Sequence, residues 1–147
     1  MIKAEIKNTI KFPKDFLKLD DLTYVADKIF ITQMVDGIHR REAINGGSLP
    51  KLEPVTIRMK KGNDRPLIDT GTLVGSFYST KRGTSSVVVS ILGRRIDEAR
   101  RLQVEGVESK RGRKFFRFFG ISDGMASSAY AHLQDKVNAI IKAFNGK

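Results

Sequence analysis

Residues 69–71 are the first place in this chain where the residue types suggest catalysis. Asp69, Thr70 and Gly71 form the triplet that carries the catalytic carboxylate of aspartic proteases, enzymes in which two such carboxylates share a proton. The chain contains no second triplet of this kind, and residues 72–75 do not continue as a protease loop would. We therefore expect the triplet to form a turn, with Thr70 capping a short helix, in a protein that is not an enzyme.

Residues 110–119 are the part of the chain whose residue types suggest a binding site, because they combine positive charge with aromatic rings. Four phenylalanines stand at positions 115, 116, 118 and 119, and the cations are Lys110, Arg111, Arg113, Lys114 and Arg117. Cations can bind phosphates while rings stack on bases, which would make a nucleic-acid site. For the rings we favour burial in the core instead. For the cations, to which Arg82 adds, a polyanion and an acidic protein surface both stay open as partners.

Metal chemistry has little support in the sequence. His39 and His132 are the only histidines, they lie far apart, and there is no cysteine. Zinc needs three or four ligands, so neither a metal nor another cofactor is expected. His39, which stands beside two arginines, is predicted to lie at a solvated helix end. Gly46 and Gly47 lack the strand and the lysine that a phosphate-binding loop requires.

The charge of the chain indicates what kind of partner it has. The 147 residues carry a net charge of +11. Residues 1–80 hold thirteen Lys and Arg against ten Asp and Glu, whereas residues 81–147 hold fourteen against six. This asymmetry indicates a polyanionic or acidic partner for the second half. No apolar run approaches the ~20 residues of a membrane span and no signal-peptide core is present, so we expect synthesis in the cytoplasm and no membrane partner.

The hydrophobic pattern predicts the elements that must position these residues. Alternating apolar residues and β-branched or aromatic runs predict strands at residues 2–12, 77–80, 86–92 and 115–119. Apolar spacings of three and four, with capping residues, predict helices at residues 21–44, 53–59, 70–75, 96–104 and 123–144. Residues 105–112 are predicted to be a polar, mobile loop. The predicted fold is α+β, a small, mostly antiparallel sheet of three to four strands packed against two long helices, in one domain over residues 1–147.

The segment from Pro66 to Phe77 also resembles a family signature. The pattern is P-L-I-D-T-G-x-L-x-x-S, and it is matched at Leu67, Ile68, Asp69, Thr70, Gly71, Leu73 and Ser76. Residues 54–60 before it fit a P-x-T-x-x-x-K element, and residues 117–122 after it fit an aromatic R-x-F-x-G-[IL]-[ST] element with shifted spacing. Over residues 20–145 the order of these parts resembles the phage virion morphogenesis family, the Mu-like tail-completion, neck and head-tail joining proteins. Thr72 departs from the Arg or Lys that is usual there.

The resemblance implies a structural virion protein of a tailed phage. Such a protein forms a ring, with six subunits expected, at the head-proximal end of the tail, where it joins the tail tube or tail terminator to the head connector. Its partners would be copies of itself, those neighbours and transiting duplex DNA, in the virion neck after assembly in the host cytoplasm. The residues expected to face the ring lumen or a neighbouring subunit are Arg82, Lys110, Arg111, Arg113, Lys114 and Arg117. The alternative is a small basic DNA-binding module.

Overall fold

The computed structural model describes residues 17–68 and 71–146. Helical segments cover Leu19–Tyr24, Val25–Ile31, Thr32–His39, Pro54–Met59, Val74–Ser76, Gly93–Arg100, Arg101–Glu105 and Asp123–Asn145. Strands cover Phe77–Arg82, Ser86–Ile91, Val107–Ser109 and Gly112–Lys114. The strands pair antiparallel, which confirms the predicted α+β class, but the described residues form two separate two-stranded ladders. The strand predicted at residues 2–12 lies outside the described residues.

The first three helical segments follow one another without a break and form one N-terminal helix, residues 19–39. Its middle has a wide π-helical turn, in which both the N–H and the hydroxyl of Thr32 donate to the carbonyl oxygen of Asp27. The helix ends at His39, and the prediction that it continues to residue 44 is wrong. The cause is Arg41, whose positive φ of 61° takes the chain out of the helical conformation.

Phe77–Arg82 and Ser86–Ile91 form the valine hairpin, which we name for the three valines at residues 87–89. The two predicted strands are confirmed, and the first runs to Arg82, two residues further than predicted. The register pairs Phe77 with Ile91 at the base. Both of these residues are buried, whereas the residues beside the turn are exposed. The hairpin is therefore fixed to the core by its base.

Residues 107–114 form a second, shorter ladder, which we name the basic hairpin. Val107 pairs with Lys114, and Ser109 pairs with Gly112. The prediction of a mobile loop over residues 105–112 is therefore wrong. Gly106, with a φ of 73°, ends the preceding helix and leads the chain directly into the first strand. The hydroxyl of Ser109 then donates to the carbonyl oxygen of Gly112 at 2.7 Å and closes the turn.

The aromatic segment after this hairpin is not the strand predicted at residues 115–119. The side chain of Gln103 bonds its backbone instead: Oε1 accepts from the N–H groups of Phe118 at 3.1 Å and Phe119 at 2.6 Å. The Nε2 of Gln103 donates to the carbonyl oxygen of Phe119 at 2.6 Å. One side chain thus satisfies backbone groups that a neighbouring strand would otherwise bond, so no ladder is needed.

The main core joins the N-terminal helix, the base of the valine hairpin and the aromatic segment. Its buried members are Met34, Ile38, Leu73, Phe77, Ile91, Ala99, Phe116, Phe118 and Met125. The ring of Phe77 meets Phe118 edge to face, with centroids 6.2 Å apart, and lies nearly parallel to Phe119 at 6.0 Å. These rings connect the valine hairpin directly to the segment that follows the basic hairpin.

The C-terminal helix, Asp123–Asn145, packs its first half on the N-terminal helix. Its predicted start is confirmed, since the Oγ of Ser122 accepts from the N–H of Met125 at 3.2 Å. Ala129 packs with Val25 and Ile29 in a second, smaller apolar cluster. Within residues 17–68 and 71–146, no helix combines the length and the apolar character needed to cross a bilayer.

Candidate functional site

The signature segment lies in the chain just before the valine hairpin, and its first half is a turn. Leu67 adopts a left-handed φ of 61°. The Nδ2 of Asn63 donates to the carbonyl oxygen of Ile68 at 3.1 Å and holds the turn from the side. Asp69 and Thr70 lie outside the described residues. The turn at Asp69 and the cap at Thr70 therefore stay predictions.

Residues 71–77, which we name the signature joint, connect this turn to the hairpin. The carbonyl oxygen of Gly71 accepts from the N–H of Gly75 at 2.9 Å. The Oγ of Ser76, a residue only 2% exposed, donates to the carbonyl oxygen of buried Leu73 at 2.6 Å. The carbonyl oxygen of Ser76 accepts from the N–H of Leu92 at 2.9 Å. The joint is thereby bonded to the end of the second strand of the hairpin.

The helix predicted at residues 70–75 is reduced to one 3₁₀ turn, Val74–Ser76, in the part that the structure describes. The turn is short because the strand of the valine hairpin begins at Phe77. Leu73 and Phe77 are both members of the main core. The described positions of the signature therefore serve packing and backbone bonding.

The side chain of Arg113, in the basic hairpin, forms hydrogen bonds within the protein. Its Nη1 donates to the carbonyl oxygen of Glu105, and its Nη2 donates to the carboxylate of Glu108, both at 2.6 Å. The aliphatic part of the side chain lies across Gly106, where a Cβ would stand 2.8 Å from the Cγ of Arg113. Only glycine fits this approach. Arg113 therefore fastens the hairpin to the end of the preceding helix.

Lys114 is engaged as well, on the other side of the hairpin. Its Nζ donates at 2.8 Å to the carbonyl oxygen of Lys51 and, also at 2.8 Å, to the Oε1 of Glu53. The hydrogen bond and the charge of Lys114 lower the pKa of Glu53 below its ordinary value. The Lys114 side chain is only 22% exposed, so this pair is more shielded from water than most on this protein. Lys114 connects the basic hairpin to the start of the Pro54–Met59 helix.

Lys110 and Arg111 occupy the turn of the basic hairpin, where both are exposed. Neither side chain forms an ion pair with another residue in the described ranges. Their charges still act at a distance, because both help to lower the pKa of Glu53 after the larger effect of Lys114. These two cations are thus available to another molecule, in contrast to Arg113 and Lys114.

Arg117 and Arg82 occupy two further positions of the predicted contact surface. The guanidinium carbon of Arg117 lies 5.4 Å from the ring centroid of Phe115, which is 37% exposed. Arg82 ends the first strand of the valine hairpin and is exposed beside its turn. Of the six predicted contact cations, Arg82 lies in the valine hairpin, Arg117 lies in the aromatic segment, and the other four lie in the basic hairpin. Two of these four form bonds that hold the protein together.

The phenylalanines of residues 115–119 are mostly buried in or packed against the core, which is the interpretation favoured from the sequence. Phe116 and Phe118 are 6% and 1% exposed in the main core, and Phe119 packs against that core. Phe115 remains at the surface with Arg117 over its ring. Base stacking on this segment could therefore use one ring only.

The histidines do not form a site with each other. His39 is exposed at the end of the N-terminal helix, as predicted. His132 stacks on Tyr24 with ring centroids 4.5 Å apart, between the N-terminal and C-terminal helices. Among the described residues there is no group of three side chains that could hold a metal ion.

Sequence reasoning missed Gln103, which positions the whole aromatic segment. Its partners lie 15 and 16 residues further along the chain, so no local pattern could reveal them. Comparisons with protein-family models, with curated proteins and with solved structures find no match for this chain.

Proposed function

We propose that this protein is a structural virion protein of a tailed phage, which forms a six-membered ring at the head-proximal end of the tail. Its partners would be copies of itself, the tail tube or tail terminator, the head connector, and duplex DNA in transit. The proposal is supported by the signature residues and by the order of the flanking elements over residues 20–145. No catalysis is required of the protein in this role.

The observation that carries the proposal is the construction of the signature joint. Leu73 is buried, Ser76 bonds its carbonyl oxygen, and Gly71 holds a left-handed conformation with a φ of 78°. These groups fix the direction in which the valine hairpin leaves the core and present no reactive atom to solvent. A ring requires one interface geometry to be repeated around an axis, and a hairpin whose direction is fixed by these bonds supports such a repeat.

The exposed cations support a contact role for the hairpin turns. Lys110, Arg111 and Arg82 stand beside turns, where they can reach another molecule without disturbing the core. In a ring they would face transiting duplex DNA or an acidic surface of a neighbouring subunit. Arg113 and Lys114 would keep the basic hairpin in shape.

Antibody-labelled electron microscopy of the particles made by the source genome tests the proposal. We expect label at the head–tail junction. Finished particles that lack the protein would overturn the proposed role.

A matched pair of double variants tests the contact role of the turn. Lys110→Ser with Arg111→Ser is expected to lower the yield of infectious particles, because it removes the two unpaired cations of the basic hairpin. Lys28→Ser with Lys142→Ser removes the same charge from exposed helix positions and is expected to leave the yield unchanged. Equal yields from both double variants would contradict the contact role.

The same unpaired cations favour a second candidate, a small basic DNA-binding module. Tight binding of the free protein to duplex DNA, with affinity that falls steeply with salt, would support this candidate. The Lys110→Ser and Arg111→Ser double variant should then reduce the salt slope by about two. Weak binding by the free protein, together with label at the head–tail junction, would favour the ring protein.

A further inference from the structure

The Pro54–Met59 helix and the basic hairpin flank a groove, which we name the helix–hairpin groove. Its wider part has a volume of about 580 Å³ and lies between residues 53–56 on one side and residues 108–110 on the other. A narrower part, with a volume of about 240 Å³, continues it past the start of the helix. Four residues line both parts: Glu53, Thr56, Glu108 and Ser109. The two parts therefore form one continuous depression.

The two carboxylates that line the groove are both paired within the protein. Glu53 accepts from the Nζ of Lys114 at 2.8 Å, and Glu108 accepts from the Nη2 of Arg113 at 2.6 Å. Each pair has no net charge. The net charge of the groove therefore comes from the cations that these carboxylates leave unpaired.

Unpaired cations lie at both ends of the groove. Lys110 lines the wider part, and Arg111 follows it in the turn; both lower the pKa of Glu53 by their charge, so both lie near the groove. Lys51 and Arg101 line the narrower part and are exposed. Within residues 17–68 and 71–146, none of these four cations has a carboxylate within ion-pair distance. A surface that complements this groove would carry negative charge.

Apolar side chains are exposed beside these cations. Val55 lines the wider part and is 64% exposed, and Met59, one helical turn further along the same side of the helix, is 80% exposed. The lining of both parts is mostly apolar, with Leu52, Val107 and Phe116 in the narrower part. Apolar side chains that cluster at a groove with a charged rim are typical of a surface that another protein covers.

These features together favour a protein partner over duplex DNA. Duplex DNA carries one phosphate charge per about 1.7 Å of its length, so DNA on the groove would bring phosphates against Glu53 and Glu108 as well as against the cations. Its charged backbone also offers Val55 and Met59 little apolar surface to contact. A peptide, by contrast, can place an apolar side chain in the groove and acidic side chains beside the cations.

We propose that the helix–hairpin groove binds an acidic segment of another protein. An apolar side chain of that segment would occupy the wider part of the groove, against Val55. Its carboxylates would lie beside the four unpaired cations, Lys51, Arg101, Lys110 and Arg111. The bond from Lys114 to Glu53 already connects the hairpin to the helix, so the two walls of the groove are held together before the partner binds.

This inference rests on the contact role proposed above for the turn of the basic hairpin, and it names the class of partner for that contact. Labelling of particles and binding of peptides are independent measurements. Label at the head–tail junction together with a failure of the binding tests below would overturn this inference and leave the proposed function standing. Peptide binding at the groove without label at the junction would support this inference and overturn the phage role.

Fluorescence anisotropy of two labelled peptides with the full chain tests the inference. The first peptide consists of aspartate and glutamate residues around one central leucine, and the second has serine in place of that leucine and the same charge. We expect the leucine peptide to bind about ten times more tightly, because only leucine gains from leaving water for the apolar groove. Equal affinities, or no binding of either peptide, would overturn the inference, since net charge alone attracts both peptides equally.

A matched pair of double variants locates the binding of the leucine peptide. Val55→Thr with Met59→Gln replaces the two exposed apolar side chains by polar ones of similar shape, and we expect binding to weaken about fivefold. Leu92→Gln with Ile121→Thr makes the same change at exposed positions outside the groove and should leave the affinity unchanged. Circular dichroism checks that both variants are folded. Equal affinities of the two double variants would overturn the inference.

Duplex DNA with the same number of charges as the peptide provides the last comparison. Lys110→Ser with Arg111→Ser should weaken binding of the leucine peptide about fivefold, because it removes the cations at one end of the groove. The same double variant should weaken binding of DNA far less. A loss of DNA affinity as large as the loss of peptide affinity would assign these two cations to DNA and overturn the inference.

Discussion

The two hairpins of this protein are held in place by different physical means. The valine hairpin is fixed by burial, because Phe77 and Ile91 at its base are members of the main core. The basic hairpin has no buried member in that cluster; Val107 packs against the cluster from outside, and bonds from Arg113 to Glu105 and from Lys114 to Glu53 hold the rest of the hairpin. Packing therefore dominates at the base of the valine hairpin, whereas polar bonds dominate where the basic hairpin carries its charges.

The largest loss in the free energy of unfolding should come from removing the packing that holds the valine hairpin. Phe77→Ala removes a ring that contacts Phe118 and Phe119, and we expect it to lower the free energy of unfolding by about 3 to 5 kcal/mol. Chemical denaturation measures this loss. Tyr78→Ala, one residue along on the outer face, serves as the control and should cost far less. Similar losses at the two positions would contradict burial as the means by which this hairpin is held.

A smaller loss in the free energy of unfolding should come from substituting Gly106, the glycine that precedes the first strand of the basic hairpin. Gly106→Ala places a side chain on a residue with a φ of 73° and a ψ of 173°, a conformation that is essentially restricted to glycine, and brings its Cβ within 2.8 Å of the Cγ of Arg113 and 3.0 Å of the Cε1 of Phe115. We expect a loss of about 2 kcal/mol or more in the free energy of unfolding. Gly83→Ala, in the turn of the valine hairpin, has a similar φ and nothing within 4 Å of the new Cβ. It should cost only about 1 kcal/mol.

The contrast between these two alanine variants tests the close approach of Arg113 and Phe115 to Gly106. The backbone conformation is strained in both variants, whereas the clash occurs in the basic hairpin alone. Equal losses measured by denaturation would mean that the side chains of Arg113 and Phe115 move away from the new Cβ at no cost.

A third prediction concerns Gln103, which connects the two regions through the aromatic segment. Gln103→Leu leaves the N–H groups of Phe118 and Phe119 without their acceptor, and we expect a loss of about 1 to 2 kcal/mol. Hydrogen exchange should show faster exchange at these two amides. Gln134→Leu, which breaks an exposed bond to Asn138, is the control and should change stability by less than about 0.5 kcal/mol.

The elements that the sequence predicts correctly are those whose signals are local. The Pro54–Met59 helix has a proline in its first turn, the C-terminal helix has Ser122 as its cap, and the valine hairpin has a run of β-branched residues. Each signal acts within a few residues of the element it starts or stabilises. The α+β class follows from these elements together.

The elements that the sequence misses depend on contacts between distant residues. The basic hairpin has strands of three residues with little apolar character, and its position depends on bonds such as Lys114 to Glu53, 61 residues apart. The aromatic segment is short and dense in phenylalanines, which predicts a strand, and no local signal indicates the bonds from Gln103 that replace a ladder. At the candidate site, the sequence identified the cations but not which of them form internal bonds. Lys114 bonds a carboxylate 61 residues away, and Arg113 bonds groups that it meets only when the hairpin has formed.

Each hairpin also has one ion pair that lowers the pKa of a carboxylate, and the last prediction compares the two. Lys81 lowers the pKa of Asp20 at the valine hairpin, and Lys114 lowers the pKa of Glu53 at the basic hairpin, in each case first through a hydrogen bond. A lowered pKa in the folded state contributes stability above the ordinary pKa of the carboxyl group. That contribution is lost as the pH falls through the lowered value.

Neutralising these carboxylates should therefore matter at pH 7 and not at pH 2. We expect Glu53→Gln to destabilise the protein more than Asp20→Asn does, because the Asp20 side chain is 82% exposed and the Glu53 side chain only 36%. The losses in the free energy of unfolding from these two substitutions should be the smallest of those predicted for this protein. Both losses should fall toward zero in acid and in high salt. Denaturation curves of the two variants and the natural chain at both pH values measure them. A Glu53→Gln effect that persisted unchanged at pH 2 would mean that the amide fails to replace a hydrogen bond, and that charge does not hold the basic hairpin.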